Sequence, residues 1–287
     1  MRDRPVQPSN AALAARLREL ADLLTQQGAD GFRVAAWRRG AEIVDGLDRP
    51  VAEILAQQGR DGLVILPGIG YGIAAALAEM VTTGHWAQLD RLRGTGEPGR
   101  LFRTIPGIGP ELARRLCEGL PIESLEALEI AASDGSLDRV AGIGPRRAQM
   151  IRAVLAERLG RPRLRQRRDG QEHPSVGLLL DVDREYRQKA AAGALRTIAP
   201  RRFNPAGRAW LPILHTGRGP WQFTALFSNT ALAHELQRTG DWVVIYYHCD
   251  GLPEGQCTVV TETRGALAGR RVVRGREAEG DTLAQSA

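Results

Sequence analysis

Three segments of this chain order their residues for one kind of chemistry, the capture of anions by backbone amides. They are LPGIGYGIAAAL (66–77), IPGIGPELARRL (105–116) and VAGIGPRRAQMI (140–151), starting 39 and 35 residues apart. Each sets an apolar residue and then a small residue or proline before Gly-Ile-Gly, and continues with the period of an amphipathic helix. The glycine pairs Gly68 and Gly70, Gly107 and Gly109, and Gly142 and Gly144 permit positive φ and close approach by a ligand. The isoleucine between them is expected to plug the space between two helices. Amides of such a turn, and of the helix start behind it, face outward where the helix dipole favours negative charge. A turn of this kind does not read base edges, so it holds phosphates without sequence preference. Pro110 and Pro145 open the helices of the second and third copies, and Arg146 and Arg147 follow at once in the third. The spacing predicts a helix-hairpin-helix array, although any one copy can also serve only as packing.

Other reactive residue types form weaker patterns. Asp181-Val182-Asp183 is the only Asp-x-Asp in the chain. On a strand the two carboxylates would share a face and could hold metal ions; on a helix they diverge by about 200°. Ser175 as N-cap and the stripe Leu179, Val182, Tyr186 and Ala190 predict a helix, so no shared metal is expected there. His215, His234, His248, Cys249 and Cys257 match no zinc spacing, and no metal or cofactor is expected from them. Ser228, Asn229 and Thr230 read as an anion cluster or as helix capping. Asp241 and Glu262 form an acid pair only if the fold brings them together. Lys189 is the single lysine, so any mechanism that needs an amine must use it or the N-terminus.

The elements that would position these residues divide along the chain. Residues 10–25 predict a helix capped by Asn10, with Leu13, Leu17, Leu20 and Leu24 inward. A second helix is expected over 30–46 with Phe32, Ala36 and Ile43 inward, and a short third over 50–58 behind Pro50. Beyond residue 175 the character changes. AWLPILHT (209–216) and WQFTALFS (221–228) predict a hairpin, Asn229–Arg238 a helix capped by Asn229 or Ser228, and 241–251 and 256–265 two more strands. The fold class is therefore an all-α helix-hairpin-helix half followed by a small α+β domain. Expected boundaries are 1–93, 94–159 with two hairpins, a basic linker 160–174, and 175–287.

Charge follows the same division. Residues 1–160 hold 20 Arg against 20 Asp and Glu, whereas 161–287 hold 19 Lys and Arg against 13 acids, which carries the whole net charge of +6. Five arginines crowd into RPRLRQRR (161–168), a counterion-releasing contact for a polyanion or a solvated linker. Arg270, Arg271, Arg274 and Arg276 form a basic tail that could reach DNA. No apolar run approaches the roughly 18 residues of a membrane span, MRDRPVQPSN lacks a signal-peptide core, and three cysteines are too few for a disulfide framework. A cytoplasmic protein with no membrane partner is expected.

From about Asn10 to Leu159 the sequence resembles the N-terminal region of family X DNA polymerases, the bacterial type especially. ELADLL (19–24), GFRVAAWRRGA (31–41), the first two hairpins and TGHWAQLDRLR (83–93) carry the resemblance. It implies a small lyase-type domain that binds the 5′-phosphate side of a DNA gap, and a second hairpin unit on the primer side. It also implies phosphate-pocket roles for Arg33, Arg38 and Arg39 around Trp37, where the family commonly has tyrosine. The alternative is a core tryptophan among solvated arginines. The Schiff-base lysine of lyase-active members aligns with Ala76, and a basic residue one turn earlier with Gly72, so that chemistry is not expected. Nor is a palm found, since no Gly-Ser turn with basic residues precedes the Asp-x-Asp.

The expected function is sequence-nonspecific binding of gapped, nicked or intact duplex DNA, of DNA repair type, without polymerase or Schiff-base lyase activity. Two alternatives stand beside it. One is a nuclease-like DNA-processing enzyme acting through residues 175–287. The other is an interaction scaffold, which the neutral charge of residues 1–160 keeps open.

Overall fold

The computed structural model describes residues 7–95, 98–120, 122, 125–133, 135–159, 173–249, 252, 254–277 and 279. The basic run 161–168 lies outside the described residues. Architecture follows the expected class, a helical N-terminal half and then a small α+β domain.

Helices α1 (Asn10–Gln26), α2 (Gly31–Asp45), α3 (Val51–Val64), α4 (Tyr71–Thr83) and α5 (Ala87–Leu92) build the first unit. The leucine stripe of α1 is fully buried against Val34, Ala41 and Val44 of α2 and Leu77 and Met80 of α4. Two local expectations are corrected here. Ser9, not Asn10, caps α1, its hydroxyl accepting from Ala12 N at 3.2 Å. Asn10 instead donates to Leu47 O and Arg49 O and accepts from Val51 N at 2.9 Å, which ties α1 to the start of α3. The buried face of α2 is Val34, Trp37, Gly40, Ala41 and Val44, whereas Phe32 is 88% exposed and Ala36 is exposed. The short helix expected over 50–58 ends at Gly59, whose φ 65° and ψ −164° are not helical, and a further helical stretch carries α3 on to Val64.

Helices α6 (Pro98–Phe102), α7 (Pro110–Gly119), α8 (Leu125–Ser133) and α9 (Pro145–Leu159), with a 3-10 turn at Ser136–Arg139, form a second unit. Phe102, Ile105, Leu116, Leu128, Leu137 and Ile151 lie in a core of their own.

The remainder is α10 (Val176–Ala191), β1 (Arg196–Ile198), β2 (Leu211–Arg218), β3 (Trp221–Phe227), α11 (Ala231–Glu235), β4 (Val243–His248), β5 (Gly255–Thr261) and β6 (Arg271–Val273). The strands pair antiparallel in chain order as one six-stranded sheet. The sequence pattern predicts four of these strands; β1 and β6 are three residues each, too short for a period to show. Helix α11 is capped by Thr230, whose hydroxyl accepts from Ala233 N, rather than by Ser228 or Asn229. The Ser175 cap and helical setting of Asp181 and Asp183 are as expected.

Strand alternation divides the sheet between two partners. Phe223, Ala225, Val243 and Ile245 face α10 with Leu179, Val182 and Tyr186. Leu211, Ile213, Leu226, Val244 and Tyr246 face the other way, into the core of the first helical unit. The sheet is thus covered on both faces.

Candidate nucleic-acid interface

All three Gly-Ile-Gly turns adopt the same geometry. Gly68, Gly107 and Gly142 sit at φ 83°, 84° and 93°, a region L-residues with a Cβ rarely enter. Ile69, Ile108 and Ile143 are buried, and their amides close the turns onto Leu66 O, Ile105 O and Val140 O at 3.0–3.1 Å. The isoleucine plugs are therefore as expected. Gly70 and Gly109 begin α4 and α7 without a side-chain cap, which leaves the first amides of those helices for an outside acceptor. Gly70, Gly109 and Gly144 are all exposed.

The second and third hairpins pack reciprocally. A Cβ on Gly107 would meet Met150 Cε of α9 at 2.5 Å; one on Gly142 would meet Arg115 Nη1 of α7 at 3.2 Å. Met150 and Arg115 each stand eight residues after their own glycine, so the two hairpins are related as a tandem. Arg115 donates to Ala141 O at 3.2 Å, and the Arg147 guanidinium folds back onto Gly142 O. Arg146 is exposed beside them.

The arginines of α2 part company. Arg38 pairs with Asp22 of α1 at 3.1 Å on an exposed face. Arg39 is exposed, with its Cδ 3.8 Å from where a Gly68 Cβ would stand, beside the first turn. Arg33 points at the sheet, 3.5 Å from Thr224 Oγ1. Trp37 is 8% exposed and packs against Trp86, ring centroids 5.3 Å apart, so it belongs to the core.

Arg33 and Trp37 line a cavity of about 400 Å³ between the first hairpin and the sheet. Gly68, Gly70, Gly72, Ala76 and Glu79 form one wall; Gln222, His248 and Glu254 form the other. A Cβ on Gly72 would meet His248 Nε2 at 2.8 Å, so absence of a side chain there is what lets β4 dock. Burial, opposed by Glu254 and reinforced by Arg91, lowers the Arg33 pKa to about 10, which leaves it charged at neutral pH. Arg91 lies 3.4 Å over the Tyr246 ring and grips both Glu254 oxygens at 2.8 Å. Nearby His215 is pushed down to about 3 by burial and then by Arg33 and Arg91, so its imidazole is neutral. It hydrogen-bonds Thr224 Oγ1 and Gln27 Oε1, both at 3.0 Å. None of these sheet-side residues was legible as part of the site, because more than 130 residues separate them from α2 and α4.

Four acidic residues of the C-terminal domain that could have served a metal or acid pair are each held by arginine. Asp181 pairs with Arg184 and Arg218; Asp183 pairs with Arg187 and Arg271; Asp241 pairs with Arg271, and Glu262 with Arg274. This narrows the basic tail: Arg271 is committed to Asp183 and Asp241, Arg274 to Glu262, and Arg276 to Glu279 and Pro174 O, whereas Arg270 is exposed. Among the described residues no three His, Cys, Asp or Glu side chains gather as a metal site, and no helix is long and apolar enough to cross a membrane.

Residues 8–86 match a helix-hairpin-helix domain model, and residues 100–157 a SAM-like helix-hairpin-helix tandem. The chain is 26% identical to the DNA polymerase/3'-5' exonuclease PolX of Bacillus subtilis (strain 168), over 60% of this chain and 28% of that protein. It is 28% identical to the Holliday junction branch migration complex subunit RuvA of Clavibacter sepedonicus, over 34% of this chain and 53% of that protein. The chain thus spans about a quarter to a half of these relatives. Its N-terminal half is a helix-hairpin-helix region similar to that of PolX.

Proposed function

We propose that this chain binds DNA without sequence preference, as a repair-type protein that holds gapped or nicked duplex by its phosphates. The observation that carries this reading is the threefold recurrence of one turn: positive-φ glycine, buried isoleucine, then an exposed glycine opening a helix. Such a turn offers amides and a helix dipole to a phosphate. The names of the two relatives, a DNA polymerase and a Holliday junction subunit, support the same ligand.

The cavity at the first hairpin is the place for a terminal phosphate. Arg33 lies within it and Arg39 stands beside Gly68 of its wall, whereas Arg38 is turned to Asp22. A terminal phosphate carries more charge than an internal diester, and one charge-assisted contact is worth about 1.5–3 kcal/mol. Gapped DNA with a 5′-phosphate should therefore bind about 10-fold more tightly than the same gap with a 5′-hydroxyl. Replacing Arg39 with alanine should shrink that ratio, and Arg38→Ala should leave it. Fluorescence anisotropy on the paired substrates measures both; equal affinity for the two ends removes the pocket's role.

Schiff-base chemistry has no amine to start from in this cavity. Ala76 is buried in its wall, and Gly72 is covered by His248. Borohydride on an abasic substrate should trap nothing within residues 7–95, and primer extension with Mg²⁺ or Mn²⁺ should give no product. A trapped adduct mapped to α4 would contradict the first expectation, and an extended primer the second.

A further inference from the structure

Outside the hairpins, RRFNPAGR (201–208) places an aromatic among three arginines on the loop between β1 and β2. Phe203 is 50% exposed and takes φ 53°, a conformation that costs a bulky L-residue of order 1–2 kcal/mol unless its surroundings impose it. Here they do. Arg201 N donates to Gly94 O at 2.6 Å, and Asn229 holds Arg202 O at 3.1 Å. The Asn204 side chain closes the far end, donating to Arg208 O at 2.8 Å and accepting from Arg208 N at 3.1 Å. One face of the Phe203 ring rests on His234, centroids 4.4 Å apart, and Asn229 Oδ1 lies 2.5 Å from His234 Nε2. Trp210 meets the same imidazole edge-on, and the Arg202 guanidinium lies 5.2 Å from the Phe203 centroid.

The loop is also well placed. Its anchor at Gly94 joins the two helical units, and α11, which carries His234, lies beside α7 of the second hairpin. A half-exposed aromatic ring that rests on an imidazole, with the Arg202 guanidinium over it at 5.2 Å, suits a partner that is both π-faced and anionic. Those are the properties of an unpaired base on its phosphate backbone.

We propose that Phe203 is a base-stacking knob, which takes the face of an unpaired nucleobase at a gap or strand end while the hairpins hold flanking phosphates. The proposal rests on the DNA-binding reading above. Stacking of this kind is local and sequence-tolerant, since every base has a π-face. It gives the C-terminal domain a role in choosing interrupted over continuous duplex.

The test uses the full chain and three labelled DNAs: a blunt duplex, the same duplex with a short dT overhang, and that overhang with abasic sites in place of its bases. Phe203→Ala should weaken overhang binding about 5- to 100-fold and leave the blunt duplex within twofold. Phe203→Trp should retain the overhang preference. Wild-type protein should bind the abasic overhang no better than the alanine variant binds either overhang, because the phosphates remain and only the bases are gone. Equal binding of base-bearing and abasic overhangs by wild type overturns the proposal. So does a loss that F203A spreads evenly over blunt and overhang DNA, which marks a structural residue. If wild-type protein binds no DNA at low salt, the underlying reading has failed before any variant is made.

Discussion

Replacing Arg271 with methionine should cost the fold about 3 kcal/mol. Asp183 is 1% exposed in the packing of α10 against the sheet, and Arg271 meets both its oxygens, at 2.5 and 3.0 Å. The same guanidinium reaches Asp241 Oδ1 at 2.6 Å and Val259 O at 3.1 Å. Loss of one partner leaves a buried carboxylate uncompensated, which generally costs about 3–5 kcal/mol. Arg187, 3.1 Å from Asp183 on the next turn of α10, remains and holds the loss near the lower end. Changing both members, Asp183→Leu with Arg271→Met, should cost less than the single change, because the charge and its desolvation disappear together. Urea denaturation followed by tryptophan fluorescence measures the difference. A single variant within about 0.5 kcal/mol of wild type, or a double variant less stable than the single, would contradict this account.

Raising salt from about 50 to 200 mM should weaken duplex binding roughly 150- to 2000-fold. Three hairpin turns and their flanking arginines engaging about four to six phosphates would release that many counterions, each adding a slope of about −0.9. Substituting valine for Gly107 and Gly142 together should remove a large part of the affinity and flatten the slope. Both positions lie at positive φ, where a β-branched residue is strained, and the Gly107 Cβ would also press on Met150 Cε at 2.5 Å. Distorting these turns misaims the amides of α7 and α9 while α1–α5 keep their own core. Anisotropy titrations at several salt concentrations give both affinity and slope. Salt-independent binding, or full affinity in the double variant, would exclude the hairpins as the phosphate contact.

What could be read from residues alone was what depends on near neighbours. Each Gly-Ile-Gly turn closes by a hydrogen bond three residues long, and its glycine is required by its own φ, so the repeat was legible wherever it occurred. The helical setting of Asp181 and Asp183 follows from a period visible within one segment, Ser175 to Tyr186. The alternating strands β2 to β5 were legible for the same reason, whereas β1 and β6 were too short to alternate.

Long-range partners decided the rest. Asn10 and Asn229 are good capping residues by type, yet each is drawn away by distant groups: Asn10 by the loop before α3, Asn229 by Arg202 O and His234. Phe32, apolar and on a helix, is exposed because the buried face of α2 is the one carrying Val34, Trp37 and Ala41. Arg33, Arg38 and Arg39 look alike in sequence, but only the fold sends one into a cavity, one to Asp22 and one to the rim of the first turn. The basic tail looked free for DNA until the sheet brought Arg271 onto Asp183, 88 residues away. Sequence by itself determined the Gly-Ile-Gly turns, whose physics is contained in a dozen residues. Tertiary structure alone determined which charges remain for a ligand, because pairing a charge depends on distances that no local period encodes.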